Sequence, residues 1–117
     1  MPKAVEAKIK HALKRRELES HLEARCVLYA KKRGLMSRKM NGFGFRAWPD
    51  RLFLPENMAA PWAVAEPLLW VEFKRAGQVA TPEQARLHDD LRCRGQRVVV
   101  IDDYDVFKDT IEDYLGN

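Results

Sequence analysis

Leu68-Leu69-Trp70-Val71-Glu72-Phe73-Lys74 reads as a buried strand, yet two opposite charges occupy its last three positions. Alternation along a strand sends Leu69, Val71 and Phe73 to one face and Trp70, Glu72 and Lys74 to the other. Two residues of rise set Glu72 and Lys74 on a common face, roughly 6.5–7 Å apart at Cα. Burying such charges is costly unless they are paired or bind a metal. Upstream, Pro49-Asp50 precedes a second apolar run, Leu52-Phe53-Leu54, and so brings another carboxylate to the start of a strand. A carboxylate pair plus a lysine at one end of a sheet is what metal-dependent phosphodiester cleavage requires. In such a site Asp50 and Glu72 hold a hard divalent cation through oxygen. Lys74 orients the attacking water or stabilises charge on the phosphate.

Outward from this stretch, the chain alternates helices and strands. Residues 3–33 contain no Gly or Pro and many helix formers, which predicts one long helix or two abutting near Arg16. Leu18, Leu22, Cys26 and Tyr29 form its apolar stripe. Lys31-Lys32-Arg33 suits the negative end of the helix dipole, and Gly34 suits the position just past the helix. Leu35–Met40 reads as a strand, Asn41-Gly42-Phe43-Gly44 as a turn or hairpin closure, and Asp50–Leu54 as a strand ended by Pro55. The stretch from Glu56 to Pro67 reads as a surface loop. Thr81-Pro82-Glu83-Gln84 is a helix start, with Thr81 as N-cap, Pro82 at N1 and Gln84 completing a capping box. That helix runs to about Arg94 and stops at Gly95, with Gln84, Leu87, His88 and Leu91 on one face. Arg97–Ile101 is a strand whose continuous apolar run suits cover on both faces. Asp102, Asp103 or Asp105 caps a last helix with Val106, Phe107, Thr110, Ile111, Tyr114 and Leu115 as its apolar face. The fold class expected is α/β, a mixed central sheet flanked by helices, with the first meander placing Asp50 and Glu72 on neighbouring strands.

The 117 residues suit a single domain, 1–117, with residues 1–16 as a basic helical extension. A hydrophobic content of 46% supplies one modest core, and the tryptophans and phenylalanines argue against disorder. No apolar run approaches the ~20 residues of a membrane span, and no apolar segment follows the basic N-terminus as in a signal peptide. Cys26 and Cys93 make neither a zinc site nor a disulfide framework. A cytoplasmic location, in a bacterium or a phage-infected host, is expected. Net charge is +4, but it is unevenly spread. Through Arg51 there are 14 Lys/Arg against 5 Asp/Glu; from Leu52 onward there are 7 against 12. The basic half suits a phosphate backbone, although a solvated helix face explains such a charge run equally simply. Lys39, Arg46 and Arg75 are the candidates for phosphate contact. His11, His21 and His88 lack partners at metal-ligand spacing and read as surface or core histidines.

Taken together, Glu19–Glu23 on the first helix, Arg46-Ala47-Trp48-Pro49-Asp50-Arg51, Val71-Glu72-Phe73-Lys74-Arg75, and Thr81-Pro82-Glu83-Gln84 with the downstream Val98-Val99-Val100-Ile101-Asp102 resemble the VRR-NUC domains of the PD-(D/E)XK nuclease superfamily. The likeness runs from about Glu19 to Leu115 and is closest to stand-alone phage and bacterial members, which are similar to Holliday-junction resolvases. It implies a restriction-endonuclease-like αβββαβ(α) core and a Mg²⁺- or Mn²⁺-dependent DNA endonuclease acting on branched duplex as a homodimer. By the same likeness Asp50 and Glu72 are metal carboxylates, the Phe73 backbone carbonyl is a further ligand, and Lys74 is the catalytic lysine. Gln84 matches the family's glutamine. Glu23, or alternatively Glu19, matches the helical acidic residue that approaches the metal. The chain departs from the family in having Ala47-Trp48 before Pro49-Asp50, where Gly and a small or branched residue are usual. Each residue also has a plainer reading. Asp50 alone suits a turn, Glu72 and Lys74 a same-strand ion pair, Glu23 a solvated helix position, and Gln84 a cap only. At the level of function, the alternative is a catalytically inactive, structure-specific DNA-binding module.

Overall fold

The computed structural model describes residues 20–40, 47–56 and 68–116. The proposed extension 1–16, the turn at Asn41–Gly44 and nearly all of the 56–67 loop lie outside the described residues. Helix α1 covers residues 20–32. It is followed by β1 (Leu35–Lys39), β2 (Arg51–Pro55), β3 (Leu69–Phe73), α2 (Pro82–Cys93), β4 (Arg97–Ile101) and α3 (Tyr104–Tyr114). The four strands make one sheet in the order β1-β2-β3-β4. β1 and β2 pair antiparallel, as do β2 and β3, whereas β3 and β4 run parallel. A parallel pair needs a long crossover, and α2 supplies it. The mixed sheet flanked by helices is therefore the architecture expected from the sequence.

Strand alternation divides the interior in two. One face of the sheet contributes Phe53, Leu69, Val71, Phe73 and Ile101, packed against Cys26 and Ala30 of α1 and Phe107, Ile111 and Tyr114 of α3. On the other face Trp70 and Val98 meet Leu91 of α2, with Met40, Trp48, Leu52 and Leu87 around them. Phe53 and Phe107 are fully buried, with ring centroids 5.5 Å apart. Truncating either to alanine is expected to cost about 3–5 kcal/mol. A polar seam fastens α1 to α3: Glu112 accepts from the Tyr29 hydroxyl at 2.6 Å and from Arg33 Nε at 2.7 Å.

The helix ends follow their local chemistry. Gly34, at φ 85°, leaves α1 through the left-handed region that the absence of a Cβ permits. Thr81 and Gln84 form the full reciprocal capping box of α2. Of the three possible caps for α3, Asp103 is the one used; its side chain accepts from Val106 N at 3.1 Å.

Three details differ from expectation. β2 stops at Pro55 as expected, but Pro55 is its last residue and not the first beyond it; the β2–β3 ladder has already ended at the Phe53–Leu69 pair, so no donor is needed there. β4 is an edge strand of the sheet, so its apolar run is only partly covered: Val98 and Ile101 are buried but Val100 is 39% exposed. Val106, counted in the apolar face of α3, sits half exposed in the first turn, while Phe107, Ile111 and Tyr114 alone are buried.

Candidate active site

The β2–β3 register places Arg51 opposite Val71 and Leu52 opposite Trp70. One step further along the same register sets Asp50 opposite Glu72. Both then share the sheet face that carries Trp70, which is why two carboxylates 22 positions apart in the chain meet. The Asp50 carboxylate is anchored from the strand end: its Oδ2 accepts the Phe73 backbone N–H at 2.7 Å. Lys74 lies just beyond β3, tied to the sheet by its own N–H donating to the Ile101 carbonyl at 2.9 Å.

Three side chains thus converge with a fourth from α2. Lys74 Nζ is 3.7 Å from Glu72 Oε2, with side-chain exposures of 13% and 4%. The same ammonium donates to Gln84 Oε1 at 2.9 Å. That oxygen also accepts the Thr81 N–H at 3.0 Å, so the helix cap and the lysine tether are one atom. The Lys74–Glu72 ion pair that the plainer reading allows is present, and Gln84 faces inward.

The electrostatics of this corner are those of a crowded acidic pair. Burial first, and then the Asp50 charge, push the Glu72 carboxyl up to about 8, against the pull of Lys74. Burial also raises Asp50, opposed mainly by the Phe73 N–H. Glu72 Oε1 is buried with no hydrogen-bond partner among the described residues. A carboxylate beside another carboxylate is satisfied only by a shared proton or by a cation. Asp50 and Glu72 are the side-chain oxygens of this corner that could hold a hard divalent ion. Among the described residues no third His, Cys, Asp or Glu side chain completes a metal-binding group.

Glu23 is engaged elsewhere. Its Oε1 accepts from Arg51 Nε at 3.0 Å, and its Oε2 is 3.9 Å from Lys39 Nζ. Arg51 also reaches Ser37 Oγ at 3.3 Å. Glu23 nevertheless contributes to raising Asp50, so its charge is felt at the site. Glu19 and Arg46 lie outside the described residues. Lys39 is exposed at the end of β1, and Arg75 is half-buried directly after Lys74.

Arg51 is a participant the sequence reading does not single out, and His88, read there as a surface or core histidine, is a core one. Arg51 was quoted only as part of a motif, although strand alternation from Asp50 sends it to the face that α1 covers, where Glu23 waits. His88 is 2% exposed on the sheet-facing side of α2, and its Nε2 is buried without a hydrogen-bond partner among the described residues. Burial, then the Arg92 and Lys74 charges, push its pKa down. The helical spacing from Gln84 was its only sequence signal. Cys26 is buried, its thiol raised to about 12 by burial, and Cys93 is exposed; both are free thiols.

An αβββαβα layer order with an acidic pair and a lysine at the junction of an antiparallel and a parallel strand defines a restriction-endonuclease-like domain. A solved structure described as a VRR_NUC domain superposes on this chain with a TM-score of 0.68, at 26% identity, over 83% of this chain and 97% of its own. No family model matches the chain, and no curated protein does either. The structural match supports the VRR-NUC resemblance carried by the sequence, and with it a nuclease-family fold. No helix among the described residues is long and apolar enough to cross a membrane.

Proposed function

We propose that this chain is a metal-dependent endonuclease that hydrolyses DNA phosphodiester bonds at branched duplexes. The observation that carries the reading is the convergence of Asp50 and Glu72 in a buried corner closed by Lys74 and Gln84. Asp50, Glu72 and the Phe73 carbonyl would hold Mg²⁺ or Mn²⁺. Bound there, the ion would supply Lewis-acid charge and lower the pKa of water. The remaining work falls to the chain. Lys74, held by Gln84, faces the phosphate and stabilises the charge that develops on it. Lys39, Arg46 and Arg75 fix the register of the backbone through its phosphates. Glu23 contributes acidic charge from α1. A homodimer would pair two such sites for symmetric incision of a junction. A cytoplasmic setting, in a bacterium or phage-infected host, accords with two free thiols.

The test is nicking of a synthetic four-way junction with Mg²⁺ or Mn²⁺. Cleavage is expected in the wild type, lost in Asp50→Ala, and reduced about 10²–10³-fold in Lys74→Ala, the scale of one lost charge stabiliser. DNA binding should persist in both variants. Salt-sensitive binding with no cleavage under either metal would instead identify a DNA-binding module with a silent site. Light scattering at micromolar protein reads the dimer directly; a clean monomer rules out paired incision.

A further inference from the structure

A cavity of about 300 Å³ opens beside Lys74, between α1, the ends of β3 and β4, and the start of α3. Its size lies at the lower end of small-molecule pockets. Crevices beyond the carboxyl ends of parallel strands are where α/β sheets hold ligands. Its chemistry is divided. Arg25, Lys74 and Arg75 line it with positive charge, while Asp102 brings an acid and Tyr104 a ring.

Two of these groups are uncommitted. Asp103 caps α3 and Asp105 pairs with Lys108 at 3.3 Å, whereas Asp102 is exposed and makes no hydrogen bond or ion pair with a described residue. Arg25 makes no ion pair with a described residue either; its guanidinium lies over the Tyr104 ring, 4.0 Å from the centroid. Tyr104 is itself held, edge-on to Tyr29 at 6.2 Å and with Lys108 Nζ 4.9 Å from its centre. Arg25 is therefore a planar cation on a fixed backing, exposed to solvent.

We infer that this cavity receives the base of one unpaired nucleotide adjoining the phosphate to be cleaved, stacked on Arg25 and donating N–H to Asp102. The inference rests on the nuclease reading above. A free anion would meet the Asp102 carboxylate, and a free cation would meet three cationic side chains. A nucleotide satisfies both walls. Its phosphate suits Lys74 and Arg75, its π-face suits a guanidinium plane, and its ring N–H or amino groups suit a carboxylate. Guanine matches best, because two adjacent N–H groups on one edge can meet both carboxylate oxygens. A paired base has those groups engaged, so the site selects a base that is already unpaired.

Forked DNA carrying a single 2-aminopurine at successive unpaired positions tests this, with the chelated full-length protein and no cleavage required. One position should show a saturable change in emission. Arg25→Ala and Arg25→Lys should abolish it, since the lysine keeps charge but not the plane, and Asp102→Asn should weaken it. A guanine there should bind roughly fivefold or more tightly than an abasic residue, the scale of one stacked base. No responsive position, or an undiminished response in both Arg25 variants, overturns the base site. Junction nicking by the wild type is scored in parallel. Nicking without a responsive position leaves the nuclease reading standing alone; a responsive position without nicking overturns the nuclease reading and leaves a base-binding site.

Discussion

Gln84 Oε1 accepts both the Lys74 ammonium at 2.9 Å and the Thr81 backbone N–H at 3.0 Å. The first turn of α2 and the proposed catalytic lysine therefore depend on one amide oxygen. Two substitutions separate these roles. Thr81→Ala removes the acceptor for Gln84 N but leaves the lysine contact in place. It should lower stability by about 0.5–2 kcal/mol with little change in single-turnover rate. Gln84→Ala should lose comparable stability and also slow cleavage, by up to about 10²-fold for a lysine displaced by an ångström. Denaturant melts beside single-turnover nicking measure both; equal rates in the two variants would reduce Gln84 to a cap.

The acidic pair sets a pH dependence whose sign can be worked out. An unfolded Glu72 loses its proton near the ordinary 4.5, whereas the folded one keeps it to about 8. Between those values the folded chain binds more protons than the unfolded chain, so stability falls as pH rises. Glu72's contribution is complete below the unfolded value and gone above the folded one. Asp50, also raised, acts with the same sign. In chelator, melting temperature should therefore decline from pH 5 to pH 8, and Glu72→Gln should flatten the decline. Saturating Mg²⁺ should raise the melting temperature at pH 8, because an ion that binds only the folded state stabilises it. A wild-type profile indifferent to chelator would remove the metal from the corner.

The Glu23–Arg51 pair bears on whether the helical acid serves the site. With Arg51 Nε at 3.0 Å, Glu23 is held on the α1 side of the sheet. If its charge helps retain the cation, Glu23→Gln should weaken Mn²⁺ binding about 10–100-fold, the scale for groups just outside the ligand shell. Arg51→Ala should have the smaller effect, about 1 kcal/mol or less on stability, as expected of a partly exposed ion pair. Calorimetric titration of Mn²⁺ into both variants checks this. Unchanged affinity in Glu23→Gln would make the residue a structural partner of Arg51 alone.

Much of this arrangement is legible in the sequence because it rests on short-range rules. Alternation puts Glu72 and Lys74 on one face, and the Thr81-Pro82-Glu83-Gln84 start places the α2 boundary within a residue. The neighbouring strands of Asp50 and Glu72 follow from a three-strand meander. What stays hidden depends on three-dimensional neighbours. The hydrophobicity of β4 does not reveal that it is an edge. Val106 matches the helical period of α3, yet it sits in the first turn, where the sheet no longer covers it. The side-chain partners of Arg51 among the described residues, Ser37 and Glu23, are distant in sequence, and Glu23 becomes one only once α1 lies across the sheet. The Arg25–Tyr104 platform joins two helices that lie on one face of the sheet but have all four strands between them in the sequence, and no spacing rule connects them.

Trp48 and Trp70 offer a readout of the corner that needs no DNA. Each precedes a site carboxylate by two residues, and their rings pack 5.3 Å apart at an interplanar angle of 50°. Trp70 is fixed further by its Nε1–H donating to Gln96 Oε1 at 3.1 Å. Its side chain shares the sheet face of Glu72, so a cation held by Asp50 and Glu72 binds on the tryptophan side of the sheet. Paramagnetic Mn²⁺ bound there should quench tryptophan emission saturably, and excess Mg²⁺ should reverse the quenching by competition. Asp50→Asn and Glu72→Gln should each remove the saturable component. Trp70→Phe should remove most of the signal while leaving calorimetric Mn²⁺ binding in place, which separates the reporter from the ligands. Mn²⁺ quenching that persists in the Asp50→Asn, Glu72→Gln double variant would place the ion elsewhere and leave the two carboxylates as a proton-sharing pair.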